Sequence, residues 1–367
     1  QYPRRRRMYM FQLDNRTDWS AGLYPGWGTN RQRQQTLVFK VGYTFDEEGA
    51  LSPLPQPPIE ETDRYRGDPE TSSLVAASEI APFKKGGELL LYGSAHPAGP
   101  GERVLQVKIT LRQRNKDFWS KELRVFGRRS WKRRLLTAMP SAPAPIEGPV
   151  ALIYENAYGG ADPGNPEESY LANPAGVGFS LRGFRTKGLT LPQIECGHNL
   201  IASPASRVPP AGFGSLAPHW EPRCKEAADI DTEAVDFGGC PWGKEPSETL
   251  YNAAPLDQRF EQPFEGVLTL QLKGLVADAP QDILIHLPEI KPHLSLLGQS
   301  DIEITPPRCD TLVIDTDRRQ IFLIWRTALP MDMENPAREW IVLRDPVTEA
   351  AREEIPVDEE TQEATAS

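Results

Sequence analysis

Two carboxylates carry the most suggestive chemistry in this chain. Glu155 follows the apolar run 150–154, and Asp257 sits in Tyr251-Asn-Ala-Ala-Pro-Leu-Asp257-Gln258. A glycoside hydrolase needs little more than two acids at a set separation, and Tyr154, Tyr158, Trp220 and Trp242 could stack on sugar rings. The competing reading is structural. A carboxylate beside glycine-rich turns caps backbone donors or pairs with an arginine such as Arg223 or Arg326. Other chemistries have weaker footing. There is no Gly-x-Ser-x-Gly elbow, and Asn173-Pro-Ala-Gly176-Val-Gly178 lacks the third glycine and the following helix of a phosphate-binding turn. Cys196-Gly-His198 with Cys224 and Cys240 could in principle ligate zinc, but structural zinc sites use tightly spaced pairs and no Cys-x-x-Cys occurs. A Cys196 or Cys240 nucleophile with His198 or His219 has no local signature. The chain is therefore expected to need no cofactor or metal and to be no enzyme. Hydrolysis through Glu155 and Asp257 is the alternative.

The elements that would hold these residues are strands and long loops. Leu37, Phe39, Val41, Tyr43 and Phe45 alternate through 36–45, and Leu105, Val107, Ile109 and Leu111 through 104–111. Further strands are expected at 88–92, 121–126, 266–273, 282–287, 301–304, 311–314 and 320–326, with 315–319 turning a hairpin. Pro53 to Pro58 reads as an extended connector and 60–72 as an exposed loop. From about 140 to 256 the chain is irregular, with one helix candidate over Cys224–Val235. Gly159-Gly160, after Tyr158, permits positive φ and a sharp reversal, and Asn173-Pro174 opens a second loop punctuated by glycine and proline. The fold class that follows is mainly β: antiparallel, sandwich-like sheets with long Gly/Pro-rich loops and few short helices.

Composition agrees. The 367 residues include 36 prolines and 29 glycines, about 18% together against an average near 12%. That density leaves little room for long helices. The four cysteines read as scattered reduced thiols. No apolar run approaches the roughly 20 residues of a membrane span. The opening Gln1-Tyr-Pro-Arg-Arg-Arg-Arg-Met8 has no apolar stretch after it, so it is not a secretory signal; without an initiator Met it reads as a trimmed chain or fragment. A cytoplasmic location is expected. Net charge is −10, yet residues 108–134 hold eleven Lys/Arg against Asp117 and Glu122, while 345–367 holds eight acids and one Arg. This pattern suits a protein partner with a complementary patch better than nucleic acid. The organisation expected is a strand region and connector over 1–85, a main domain over 86–345, and a disordered acidic tail over 346–367.

Ordered motifs run along most of the chain. They include Gly93-Ser-Ala-His96-Pro-Ala-Gly99, Leu123-Arg-Val-Phe-Gly127-Arg-Arg-Ser-Trp131, Tyr154-Glu-Asn-Ala-Tyr-Gly-Gly160 and Asn173-Pro-Ala-Gly-Val-Gly-Phe179. Leu191-Pro-Gln-Ile-Glu195, Pro210-Ala-Gly-Phe-Gly214, Trp220-Glu-Pro-Arg223, Asn252-Ala-Ala-Pro-Leu-Asp-Gln258, Asp310-Thr-Leu312 and Trp325-Arg326 follow. Over about 90 to 326 the chain resembles a domain-of-unknown-function family encoded beside type VI secretion spike and effector genes. The resemblance implies an adaptor or chaperone that holds a toxic effector and helps load it onto the VgrG spike, or onto a PAAR tip, with no catalytic residues. It marks His96, Trp131, Tyr154, Glu155, Tyr158, Gly159, Gly160, Asn173, Pro174, Trp220, Arg223, Asp257, Gln258, Trp325 and Arg326 as loop-organising or partner-contacting positions. After Arg223 this chain departs from the family pattern. A Gly-Thr-Tyr-Asp-type segment leading to Trp is replaced by Cys-Lys-Glu-Ala-Ala-Asp-Ile-Asp, which bears on cargo identity more than on role.

Overall fold

The computed structural model describes residues 11–347 except 114–115, 135–136, 181–188, 205, 222, 228–229, 232, 235–238, 244–245, 280–281, 298–303 and 332–338. Two sheets face each other across one core. The first has five antiparallel strands in the order Ile194–Cys196, Lys116–Phe126, Val104–Gln113, Leu268–Lys273, Asp282–Leu287. Strict alternation turns Leu105, Val107, Ile109, Leu111, Leu270, Leu272, Ile283 and Ile285 inward. Lys108, Arg112, Gln271 and Lys273 take the other face. The second sheet runs Arg259–Phe260, Gly87–Tyr92, Arg308–Asp315, Gln320–Pro330, Arg33–Phe45, Ser20–Trp27, with Leu51–Leu54 also paired to Arg33–Phe45. Its Gly87–Tyr92 and Arg308–Asp315 strands are parallel. Leu37, Phe39, Leu89, Leu91, Leu312 and Leu323 from this sheet join the same hydrophobic cluster as the inner face of the first. Phe39 stacks between Trp19 and Trp325, at 5.6 and 5.9 Å between ring centroids. The architecture is mainly β and mostly antiparallel, as the strand periodicity and proline density indicate.

The strand expected at 36–45 starts earlier, at Arg33, and is buried on both faces: Val38 and Lys40 are as inaccessible as Leu37 and Phe39. Segment 57–85 covers its second face, and the layer between them is ionic. Lys40 Nζ donates to Pro58 O (2.9 Å) and Glu79 Oε1 (2.7 Å). Arg326 pairs with Asp310 and donates to Glu79 O at 2.5 Å. Lys84 pairs with Glu88 and donates to Thr311 Oγ1 (3.0 Å), while Glu88 Oε2 accepts from Ala253 N (2.8 Å) and Ala254 N (3.0 Å). Burial pushes the Glu88 carboxyl up, but Lys84 and the Ala254 N–H outweigh it and hold the group below its ordinary 4.5.

Several local expectations need correction. Residues 60–72 are not wholly an exposed loop, because Arg64–Tyr65 pairs with Leu74–Ala76 and Ser72 and Ser73 are buried. The connector at 53–58 opens inside the strand Leu51–Leu54. No continuous helix spans Cys224–Val235. Helix is interrupted after Arg223–Glu226 and resumes only at 233–234; between them Ile230 makes an isolated bridge with Trp242, and Asp231 N donates to Pro241 O (2.6 Å). That bridge draws the chain out of helical geometry. Of the strand expected at 301–304, residues 301–303 lie outside the described residues and Ile304 is not in a strand. The tail expected over 346–367 lies outside them from residue 348. Residues 315–319 do turn the hairpin between Arg308–Asp315 and Gln320–Pro330. The second sheet takes strands from both sides of residue 85. Among the described residues no helix is long and apolar enough to cross a membrane.

Candidate functional site

The irregular centre is organised by one buried amide. Asn173 is fully inaccessible, and its Nδ2 donates to Tyr154 O (2.8 Å) and Tyr158 O (3.0 Å). Its own carbonyl accepts from Gly160 N at 2.8 Å. The two loops are thereby tied back to back. Gly160 has φ +87°, and a Cβ there would lie 2.1 Å from Gly176 O, so this crossing requires glycine. Gly159 sits beside it, against Asn173, and Pro174 is half-buried. Tyr154 donates to Gly214 O (3.0 Å) and meets Trp220 edge-on at 5.6 Å; burial raises its phenol well above the usual range. Tyr158 donates to Ser206 O (3.0 Å), receives Arg207 Nη1 (3.3 Å), and clusters with buried Trp131 and Phe179.

The two carboxylates weighed for catalysis are separately engaged. Glu155 accepts from Ser73 N (2.8 Å) and Ser73 Oγ (2.7 Å), capping a backbone donor of the covering segment rather than pairing with an arginine. Asp257 pairs with Lys121 Nζ at 2.8 Å and its carbonyl accepts from Trp119 Nε1 at 2.7 Å. Lys121 also donates to Gln258 Oε1 (2.7 Å), and burial lowers its ammonium despite the Asp257 charge. Gln258, fully inaccessible, donates to Leu89 O (2.6 Å) and Phe213 O (2.7 Å), bolting the 252–258 loop to the second sheet. Glu155→Gln is expected to lose about 1–2 kcal/mol, the difference between charged and neutral hydrogen bonds to Ser73. A urea midpoint unchanged from the parent would contradict that capping role.

Beside these loops opens a cavity of about 500 Å3. Leu123, Ala172, Pro210, Ala211, Leu216 and Leu256 give it apolar walls, and Lys121, Asp257 and Cys196 line it as well. Glu155 is not among its lining residues. Leu256, 62% exposed, belongs to the lining, and Leu171 (60%) and Leu200 (39%) directly adjoin lining residues in sequence. Glu221 and Lys225 also line it, paired with each other at 3.2 Å. Among the described residues no group of His, Cys, Asp and Glu side chains could share a metal ion.

A family model described as "Uncharacterized protein conserved in bacteria (DUF2169)" matches residues 30–326, about four-fifths of the chain. The chain belongs to this family. Neither the curated proteins nor the solved structures include a match to it. The DUF2169 stretch contains all the loops just described, together with the ionic layer around Arg326. Trp325 packs in the core against Phe39. Arg223 is largely buried and donates to Leu216 O (2.7 Å), with burial lowering its pKa. His96, near the hairpin, lies 3.8 Å from Asp317. Most motif positions of this DUF2169 chain therefore hold loops to sheets and to each other. Of the fifteen, Asp257 lines the cavity. Sequence reasoning did not single out Lys121, Ser73, Leu171, Leu200 or Leu256. Their partners or exposure depend on contacts distant in sequence. The one local signal was Leu256, an apolar residue in a Pro-Leu-Asp turn.

Proposed function

We propose that this protein is a non-catalytic adaptor or chaperone. It binds a protein effector and promotes its loading onto a VgrG spike, or onto a PAAR tip. The observation that carries the reading is the open, apolar-walled cavity with exposed leucines around it, set in loops that buried amides hold rigid. Exposed apolar side chains beside an apolar-walled cavity suit reversible capture of another polypeptide. Prearranged loops lower the ordering cost of binding. The resemblance of the ordered motifs to a family encoded with spike and effector genes supplies the partner class. Engagement of both oxygens of Glu155 by Ser73 speaks against a paired-acid mechanism with Asp257.

Co-expression with the effector and VgrG encoded by neighbouring genes tests this. The effector is expected to co-purify with the full chain. Leu256→Asp, at an exposed site, should cut that capture at least about tenfold while melting is unchanged, as removal of one apolar anchor does. Asp257→Asn should still capture. Two outcomes would sink the proposal: neither partner binding, or a hydrolytic turnover in the purified protein that both Glu155→Gln and Asp257→Asn abolish without unfolding it.

A further inference from the structure

The outer face of the five-stranded sheet carries a second cavity, of about 270 Å3. It is lined by Lys108, Thr110, Arg112, Gln271 and Lys273, together with Asp117 and Asp282. Lys108 and Lys273 are directly opposite each other in the ladder between Val104–Gln113 and Leu268–Lys273. Like charges in that position repel across about 5 Å between Cβ atoms. Neither ammonium has an ion pair or hydrogen bond with a described residue. Their cross-strand neighbours on the far sides are Glu122 and Asp282, so no carboxylate comes between them in the row. Glu122 turns instead toward Gly197, where its Oε1 would lie 2.9 Å from an added Cβ. Asp282 is within 3.5 Å of Gln271 Nε2.

Two further donors converge there. Asp117 occupies Arg112 Nε at 2.6 Å, and neither Nη of that guanidinium bonds to a described residue. Thr110, only 2% exposed, lines the same cavity, and its hydroxyl bonds to no described residue. Its oxygen is not one of the fully occluded unpartnered atoms, so it is reachable from the cavity and can donate into it. Cations on both sides, a guanidinium edge and a hydroxyl floor are complementary to a small anion with several acceptor oxygens and more than one charge.

We propose that this cleft binds a tetrahedral oxyanion, phosphate or a phosphate monoester, between Lys108 and Lys273. The site is independent of the adaptor reading. The test uses the full chain in phosphate-free buffer at low ionic strength, titrated calorimetrically and melted with inorganic phosphate, phenyl phosphate and acetate. Phosphate is expected to bind and to raise the melting temperature, with acetate far weaker at matched charge. Lys108→Gln and Lys273→Gln should each weaken binding about tenfold, and Thr110→Val about threefold, in line with loss of one charged or one neutral donor. Without ligand, both lysine variants should melt at or above the parent temperature, because repulsion across the ladder is relieved. Binding of both phosphates identifies a monoester site, whereas binding of inorganic phosphate alone identifies a site for the free ion. Absence of phosphate binding, binding indifferent to both lysine variants, or acetate equal to phosphate would overturn the proposal.

Discussion

Arg326→Met is expected to destabilise the protein by about 3–5 kcal/mol, the usual consequence of leaving one member of a buried ion pair alone. The substitution strands Asp310, itself nearly inaccessible, and removes the donor from Glu79 O. Burial already raises the Asp310 carboxyl above its ordinary 3.8 against the pull of Arg326. In the variant that opposition is gone, so the loss should be smaller at pH 5 than at pH 8, because a protonated Asp310 has no charge to desolvate. Arg326→Met combined with Asp310→Leu should recover much of the stability. Urea melts of the three proteins at both pH values check this, and equal losses for the single and double variants would refute it. Glu88 titrates in the opposite sense. Its carboxyl is depressed, so its contribution is complete above 4.5 and disappears as pH falls below that value.

Asn173→Asp is expected to cost about 2–4 kcal/mol and to loosen the loops around the large cavity. The amide gives two hydrogen bonds, each worth about 1 kcal/mol; their loss takes the Asn173 donor from the Tyr158 carbonyl and leaves the Tyr154 carbonyl with the Ala157 N–H alone. A carboxylate would add repulsion against the same two oxygens. Effector capture should fall together with the urea midpoint, in contrast to Leu256→Asp, which should lower capture alone. Near-UV circular dichroism should weaken as the Tyr154–Trp220 contact relaxes. A variant with parental stability would show that the two loops are held by something other than this side chain.

Much of the fold is legible in local pattern. Alternation over 282–287 marks that strand to the residue, and Asp315-Thr-Asp-Arg-Arg319 marks the hairpin. Alternation also locates the core side of the 104–113 strand. The same logic fails for Lys40, which periodicity assigns to solvent. Its partner Glu79 lies 39 residues away, and no local pattern links the two. Lys121 and Asp257, 136 residues apart, are hidden for the same reason. Asn173 and Gln258 stood out as motif members, but their roles as buried donors to distant carbonyls required coordinates. The basic band at 108–134 overstated its charge. Arg112 pairs with Asp117, Lys121 with Asp257 and Arg129 with Glu195, so part of the band is neutralised, two of the three times by carboxylates far away in sequence.

The amides that fasten the central loops all grip main-chain oxygens, never the leucines around the opening. Those leucines can therefore be exchanged for other side chains while every fastening stays in place. Divergent copies of this gene could acquire new preferences through a few rim codons, with the sandwich beneath them inherited unaltered.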